Sequence, residues 1–169
     1  MSDIDAFRQS TERKRANASA DIEGIGGWLI LPMIGLFLAP VAQMIIFFLE
    51  RDVLASLDTL TAFQRNLVIA EMAIRAVLYI VVPFVLLLLM FNKRRSFPRA
   101  YIAWVIVIGL FVALDLVLAY LAFKRHFDTS GEPFFDRETL RAIAGAAWGV
   151  IIWVPYMQTS RRVKNTFVN

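Results

Sequence analysis

The residues of this chain with the most distinctive chemistry are charged residues that lie within apolar segments of the sequence. Asp115 is surrounded on both sides by apolar residues. A charged carboxylate within a bilayer costs roughly 2.5–3.5 kcal/mol on insertion scales, so Asp115 is expected to face protein or water. Two interpretations follow. Asp115 is a site for a proton or cation, or it is a hydrogen-bonded carboxyl that pins its helix to a neighbour through Tyr79 or Tyr120.

Glu71 and Arg75 stand four residues apart in another apolar segment. Side chains at this spacing lie on one face of a helix, which predicts an ion pair near the outer interface. A binding role for the pair is the alternative interpretation. Arg75 reaches Asp115 only if both lie closer to mid-depth than their positions in the apolar segments indicate.

Other familiar chemistry is missing from the sequence. The chain has no cysteine and a single histidine, His126. Disulfides, iron–sulfur clusters and thiol nucleophiles are therefore excluded, and ordinary zinc, copper or haem sites lack the several His or Cys ligands that they need. No paired-carboxylate site, Ser-His-Asp arrangement or phosphate-binding loop is recognisable. The sequence predicts neither a cofactor nor an enzyme.

The elements that must position these residues are four long apolar stretches. Hydrophobic residues make up 59% of the chain, against roughly 45–50% in soluble domains. The stretches are residues 26–49, 68–91, 100–123 and 142–157. The first three would each form about 36 Å of helix, enough for a hydrocarbon core of about 30 Å. We therefore predict an all-α polytopic membrane protein, a bundle of four transmembrane helices at residues 24–168 behind a polar tail at residues 1–23.

Basic residues indicate the orientation of the bundle. Eleven Lys and Arg lie on the two tails and the link 92–99, while six lie on the connections 50–67 and 124–141. The positive-inside rule then predicts that both termini lie in the cytoplasm and that the two connections lie outside. The same rule accounts for the net charge of +4 and pI of about 9.8 without a nucleic-acid partner.

The first connection carries a helical pattern of its own. Its apolar residues recur three or four positions apart, which predicts a short helix on the outer membrane surface. These residues are Val53, Leu54, Leu57, Leu60 and Phe63.

Proline and glycine shape the predicted spans. Pro32 and Pro40 predict a bent or partly broken first helix, and Pro83 predicts a kink in the second. Gly145 and Gly149 form a G-x-x-x-G pattern that lets another helix approach closely. Packing within one chain is favoured over dimerisation for this pattern.

Several short motifs resemble a known family. They are GIGGWLILP at residues 24–32, RSFPR at 95–99, WVPY at 153–156 and SRRVKNTFV at 160–168. Together these resemble the DUF2569-like family, small four-span bacterial inner-membrane proteins of unknown function, over approximately residues 24–168. The resemblance implies a multi-pass location in the bacterial inner membrane. It implies no activity, substrate or catalytic residue.

With both termini inside, these motifs lie together on the cytoplasmic face. We hypothesise that aromatic and basic residues there frame a surface for an anionic lipid headgroup or a partner protein. The residues are Trp28, Arg95, Arg99, Arg161, Arg162 and Lys164. The alternative is an interfacial anchor of aromatic and basic side chains.

The sequence thus predicts a non-enzymatic accessory or interaction protein that works through this surface. Its predicted partners are the bilayer, anionic headgroups, another membrane protein or a second copy of the chain. The alternative function is a small oligomeric transporter or lipid-handling protein that uses Asp115.

Overall fold

The computed structural model describes residues 7–11, 26–130 and 135–168. Apart from a helical turn at 7–11, the predicted tail at residues 1–23 lies outside the described residues. Four described helices are long and apolar enough to cross a membrane, which confirms the all-α class. They are Gly27–Leu49, Ala62–Phe91, Phe97–Arg125 and Thr139–Thr159, called the first to fourth spans below.

Of the two predicted alternatives, a bent or a partly broken first helix, the break does not occur. The first span begins with a 3-10 turn at Gly27–Leu29 and continues as one α-helix over Ile30–Leu49. Pro32 falls in the first turn of that helix, where backbone N–H groups lack helical partners anyway. Pro40 lies inside the helix, and both prolines are buried.

The first connection also differs from the prediction of a single interfacial helix. It contains a short helix at Arg51–Ala55 and a 3-10 turn at Leu57–Thr59. The helix of the second span starts at Ala62 because Thr61 and Gln64 form a capping box. Thr61 N–H donates to Gln64 Oε1 at 3.1 Å, and Gln64 N–H donates to Thr61 Oγ1 at 3.4 Å. Phe63 therefore belongs to the second span.

The second span changes its winding just before Pro83. An α-helix at Ala62–Ala76 passes through a π turn at Val77–Val81 into another α-helix at Val82–Phe91. In this turn the Val82 N–H donates to the Val77 carbonyl. The next carbonyl, that of Leu78, would need an N–H from residue 83, but Pro83 has none. The Trp104 indole of the third span donates to that Leu78 carbonyl at 2.8 Å.

The third span belongs to the longest helix, Phe97–Ser130, and the helix of the fourth covers Arg137–Thr159. A short helix at Arg161–Thr166 follows, and Ser160 caps it. Residues 131–134, between the third and fourth of these long helices, lie outside the described residues.

The core sits at the end of the bundle where the first span begins and the fourth span ends, here called the terminal end. Its fully or nearly buried side chains come from every span and from the C-terminal segment. They are Leu29, Leu36, Leu86, Met90, Phe97, Tyr101, Met157, Val163 and Phe167. The rings of Phe97 and Phe167 lie 4.6 Å apart between centroids. The opposite end, called the far end, contains the first connection.

Candidate functional site

A cavity of about 500 Å³ lies between the spans toward the far end. All four spans contribute to its wall. The lining residues are Ala39, Ala42, Gln43, Ile46, Glu71, Arg75, Tyr79, Phe111, Val112, Asp115, Leu116 and Ala142. It is called the Arg75 cavity below, because Arg75 makes the polar contacts that organise it.

Arg75 joins two carboxylates from different parts of the chain. Its Nη1 lies 3.0 Å from Glu50 Oε1 and 3.1 Å from Glu71 Oε1. The structure thus contains the predicted pair of Glu71 and Arg75, and it adds Glu50 from the end of the first span. The guanidinium also lies 5.6 Å from the centre of the Phe47 ring, within cation–π range. The Arg75 side chain is only 17% exposed, and these contacts hold it in place.

Asp115 is a third acid at the same site. It is half-buried, lines the cavity with Glu71 and Arg75, and interacts electrostatically with both. One guanidinium cannot neutralise three ionised carboxylates, so the cavity favours a further positive charge or a proton. Tyr79 lines this cavity too, whereas Tyr120 lines a neighbouring groove.

Two polar atoms beside this cluster have no partner among the described residues. Gln43 is 4% exposed and its amide nitrogen donates no hydrogen bond, while the second carboxylate oxygen of Glu50 accepts none. Buried polar atoms are almost always satisfied, since an unmade hydrogen bond costs roughly 1–3 kcal/mol. Gln43 lines the cavity, so its amide nitrogen offers one donor to a molecule that fills it, whereas Glu50 is not among the lining residues.

The cluster lies toward the far end of the spans. Asp115 follows Phe97 by about 27 Å of helix, and it meets first-span residues 39–46, near the far end of that span. Glu71 lies about 13 Å inside the second span, because that helix starts at Ala62. Asp115 and Glu71 are therefore both acids within the spans.

An apolar groove of about 750 Å³ adjoins the Arg75 cavity between the third and fourth spans. The two cavities share the lining residues Val112 and Leu116. The other lining residues are Gly109, Ala113, Val117, Tyr120, Leu121, Phe135, Ile143, Ala146, Ala147 and Val150.

The glycines predicted to bring helices together behave differently from one another. A Cβ on Gly149 would lie 3.7 Å from Val105, so Gly149 faces the third span at contact distance. A Cβ on Gly145 would meet nothing within 4 Å. Gly109, which the sequence interpretation did not single out, would contact Val150 at 3.5 Å.

The six residues of the predicted surface meet at the terminal end, and two of them contact the chain itself. Arg95 Nε donates to the Val168 carbonyl at 2.6 Å. The Arg162 guanidinium lies against the backbone at Gly26, where an added Cβ would come within 2.9 Å of Nη1. Both arginines thus tie the ends of the chain to the bundle. The other four are exposed: Trp28, Arg99, Arg161 and Lys164.

The sequence interpretation did not identify Glu50 or Gln43, although the position of each in the sequence is distinctive. Glu50 follows immediately on the first apolar stretch, and Gln43 is a polar residue within it. In the described part of the chain, no three His, Cys, Asp or Glu side chains are grouped so that they could hold a metal ion. The side chain of His126 lies outside that part.

Comparison with known proteins adds a family to this geometry. The sequence profile of the family "Protein of unknown function (DUF2569)" matches residues 22–168. The chain is 27% identical over 150 residues to inner membrane protein YdgK of Escherichia coli (strain K12), a match that covers 86% of this chain and 94% of that protein. No solved structure matches the chain.

Proposed function

The chain belongs to the DUF2569 family and is a multi-pass protein of the bacterial inner membrane, and on this premise we propose that it binds a cationic group in the Arg75 cavity. The observation that supports this proposal is a cavity lined by Glu71, Asp115 and a buried Gln43 amide without a partner, at which the one guanidinium, Arg75, is already shared by Glu71 and Glu50. Of the two functions considered from sequence, the geometry favours the solute- or lipid-handling protein that uses Asp115.

Electrostatics supports a cationic ligand over an anionic one. Glu50 and Glu71 share a single nitrogen of Arg75, and Asp115 adds a carboxyl from the third span to the cavity wall. In a partly dehydrated site, an added cation gains attraction from several carboxylates, while an anion meets their repulsion.

Hydrogen bonding favours a cation that carries N–H donors. The Glu71 and Asp115 carboxylates on the cavity wall can accept N–H donors, and an ammonium group supplies three of them. The Gln43 amide nitrogen needs an acceptor, which a polar oxygen of the ligand or of its bound water supplies. This role is binding and requires no bond-making chemistry, so the proposal is non-enzymatic.

Titration of the protein with ethylammonium chloride in phosphatidylcholine nanodiscs tests the proposal by calorimetry. We expect saturable binding that weakens at least tenfold in Glu50→Gln and in Asp115→Asn. Asp58→Asn is the matched control, because Asp58 is an exposed acid away from the cavity. Absence of saturable binding, or equal affinities in all variants that keep their unfolding temperature, would contradict the proposal.

The terminal end supports a second candidate function, binding of anionic lipid headgroups. Trp28 is 69% exposed, and three exposed basic side chains, Arg99, Arg161 and Lys164, accompany it at this end. We propose that this end is cytoplasmic, where each basic residue near an anionic surface contributes about 1 kcal/mol. A partner protein or a second copy on this surface is the alternative occupant.

Native mass spectrometry of wild type and an Arg161→Ala/Lys164→Ala variant tests this second candidate. Arg162 is left intact because it contacts the N-terminal backbone. We expect less anionic lipid on the variant, and equal retention would count against lipid binding. Recovery of a stoichiometric protein in a gentle-detergent pull-down would favour the partner instead. A C-terminal reporter active only outside the cytoplasm would refute the orientation.

A further inference from the structure

We propose that the Arg75 cavity and the adjoining groove together hold one ethanolamine phospholipid taken laterally from the bilayer. Its ammonium group would occupy the cavity and one acyl chain would lie in the groove. This inference rests on the proposed function and specifies its ligand.

The groove has the size and the lining of an acyl-chain site. It follows the third span from Gly109 to Leu121, about 18 Å of helix, and its volume falls in the range of ligand pockets. Apart from the Tyr120 hydroxyl, its side chains are apolar. Val117, Leu121 and Phe135 remain 57%, 64% and 63% exposed, so the bundle alone leaves this surface uncovered.

The groove and the cavity are close enough to serve one amphiphile. Val112 and Leu116, one helical turn apart, line both, and Asp115 lies between them in sequence. On the fourth span, Ala142 lines the cavity while Ile143 lines the groove. A molecule with a polar group on one side of this boundary and a chain on the other therefore matches both surfaces.

The polar atoms in the cavity select the headgroup. The Glu71 and Asp115 carboxylates on the cavity wall can accept ammonium N–H donors, and the buried Gln43 amide, also on the wall, offers an unpaired donor for a phosphate or ester oxygen. A choline headgroup carries no N–H, so it makes no such hydrogen bond to these carboxylates. A glycerol headgroup brings a phosphate without a cation to a site with three acids. Ethanolamine alone among these three supplies both the N–H donors and the positive charge.

The depth of the cavity also fits a lipid headgroup. Asp115 lies about 27 Å of helix from Phe97 at the terminal end, close to the thickness of about 30 Å of a hydrocarbon core. Asp115 therefore lies toward the far side of a hydrocarbon core that starts near Phe97, so a chain running from the cavity into that core meets the part of the groove between Leu116 and Gly109. A lipid of the leaflet at the far end can enter sideways, with its chain between the third and fourth spans.

The test is native mass spectrometry of protein released from nanodiscs with equal amounts of phosphatidylethanolamine, phosphatidylcholine and phosphatidylglycerol of matched acyl chains. We expect wild type to retain the ethanolamine lipid at least tenfold over the other two. Glu50→Gln/Asp115→Asn should lose this preference. Ala147→Phe, which fills the groove from an exposed lining position, should reduce retention at least tenfold. Ala144→Phe is the matched control, exposed on the same helix and lining neither cavity, and should behave as wild type.

Ethylammonium calorimetry on the same variants separates this inference from the proposed function. Ala147→Phe should still bind ethylammonium with wild-type affinity, since only the groove is filled. If ethylammonium binds but ethanolamine lipid is not preferred, or Ala147→Phe retains it fully, the lipid inference is wrong and the proposed function stands. Preferential retention of phosphatidylglycerol would also refute the inference. Absence of ethylammonium binding overturns both.

Discussion

The terminal end and the far end of this bundle differ in how completely their side chains are buried and hydrogen-bonded. At the terminal end, Phe97 is fully buried and Phe167 is 5% exposed, and the C-terminal segment closes over them. At the far end, the spans separate around a cavity and a groove. There, Gln43 and Glu50 hold polar atoms without partners among the described residues.

This contrast indicates that the two ends of one small bundle have different roles. Dense apolar packing supplies stability and holds the helices in register. Unneutralised charge and unmatched hydrogen-bonding groups reduce stability, so where they persist in a folded protein a ligand is a reasonable explanation. Substitutions at the two ends test whether stability resides mainly at the terminal end.

The largest expected effect comes from opening the packed end. Phe97→Ala should lower the free energy of unfolding by about 3–5 kcal/mol, because it empties a fully buried aromatic site. Phe91→Ala is the control, since Phe91 is 53% exposed. Chemical denaturation in a mild detergent measures both. Similar losses in the two variants would contradict the idea that the terminal end carries the stability.

Removing the central charge of the far end should have a smaller effect. Arg75→Met leaves Glu50 and Glu71 facing each other, and since both are partly hydrated we expect a loss of about 2 kcal/mol. Adding Glu50→Gln and Glu71→Gln should restore most of it by removing the uncompensated charge. Failure of this rescue in the same denaturation assay would mean that Arg75 acts through packing.

The contact that bridges the two ends should contribute less again. Trp104→Phe removes the indole donor and leaves the Leu78 carbonyl of the π turn unsatisfied, with an expected loss of about 1–2 kcal/mol. Trp148→Phe is the matched control, because Trp148 is 67% exposed. A comparable loss in the control would show that the indole hydrogen bond contributes nothing specific.

The smallest expected effect lies at the outermost edge of the far end. Thr61→Ala removes the side-chain half of the capping box and should destabilise the second span by about 1 kcal/mol. Hydrogen exchange of the amides in its first turn should report the change locally, and Thr61→Ser should retain protection. Unchanged exchange in Thr61→Ala would place the start of this helix under tertiary rather than local control.

Local patterns in the sequence predicted much of the fold. The four spans follow from apolar length, and the pairing of Glu71 with Arg75 follows from helical spacing. The early start of the second span was also readable, because Thr61 and Gln64 carry the spacing of a capping box. The partial break that was one alternative at Pro32 and Pro40 does not occur. Pro32 lies in the first turn, where a backbone N–H has no helical partner to lose, and the helix continues through Pro40.

What the sequence determined by itself is therefore the membrane as solvent, the four helices and the contacts between residues one turn apart. Only the tertiary structure decided that Glu50 reaches Arg75 across 25 positions of sequence, and that Gln43 and Asp115 line one cavity. The physical reason is that apolar length and helical spacing are properties of a single segment. Convergence of side chains depends on how each helix is rotated and displaced against its neighbours, which packing of the whole bundle sets.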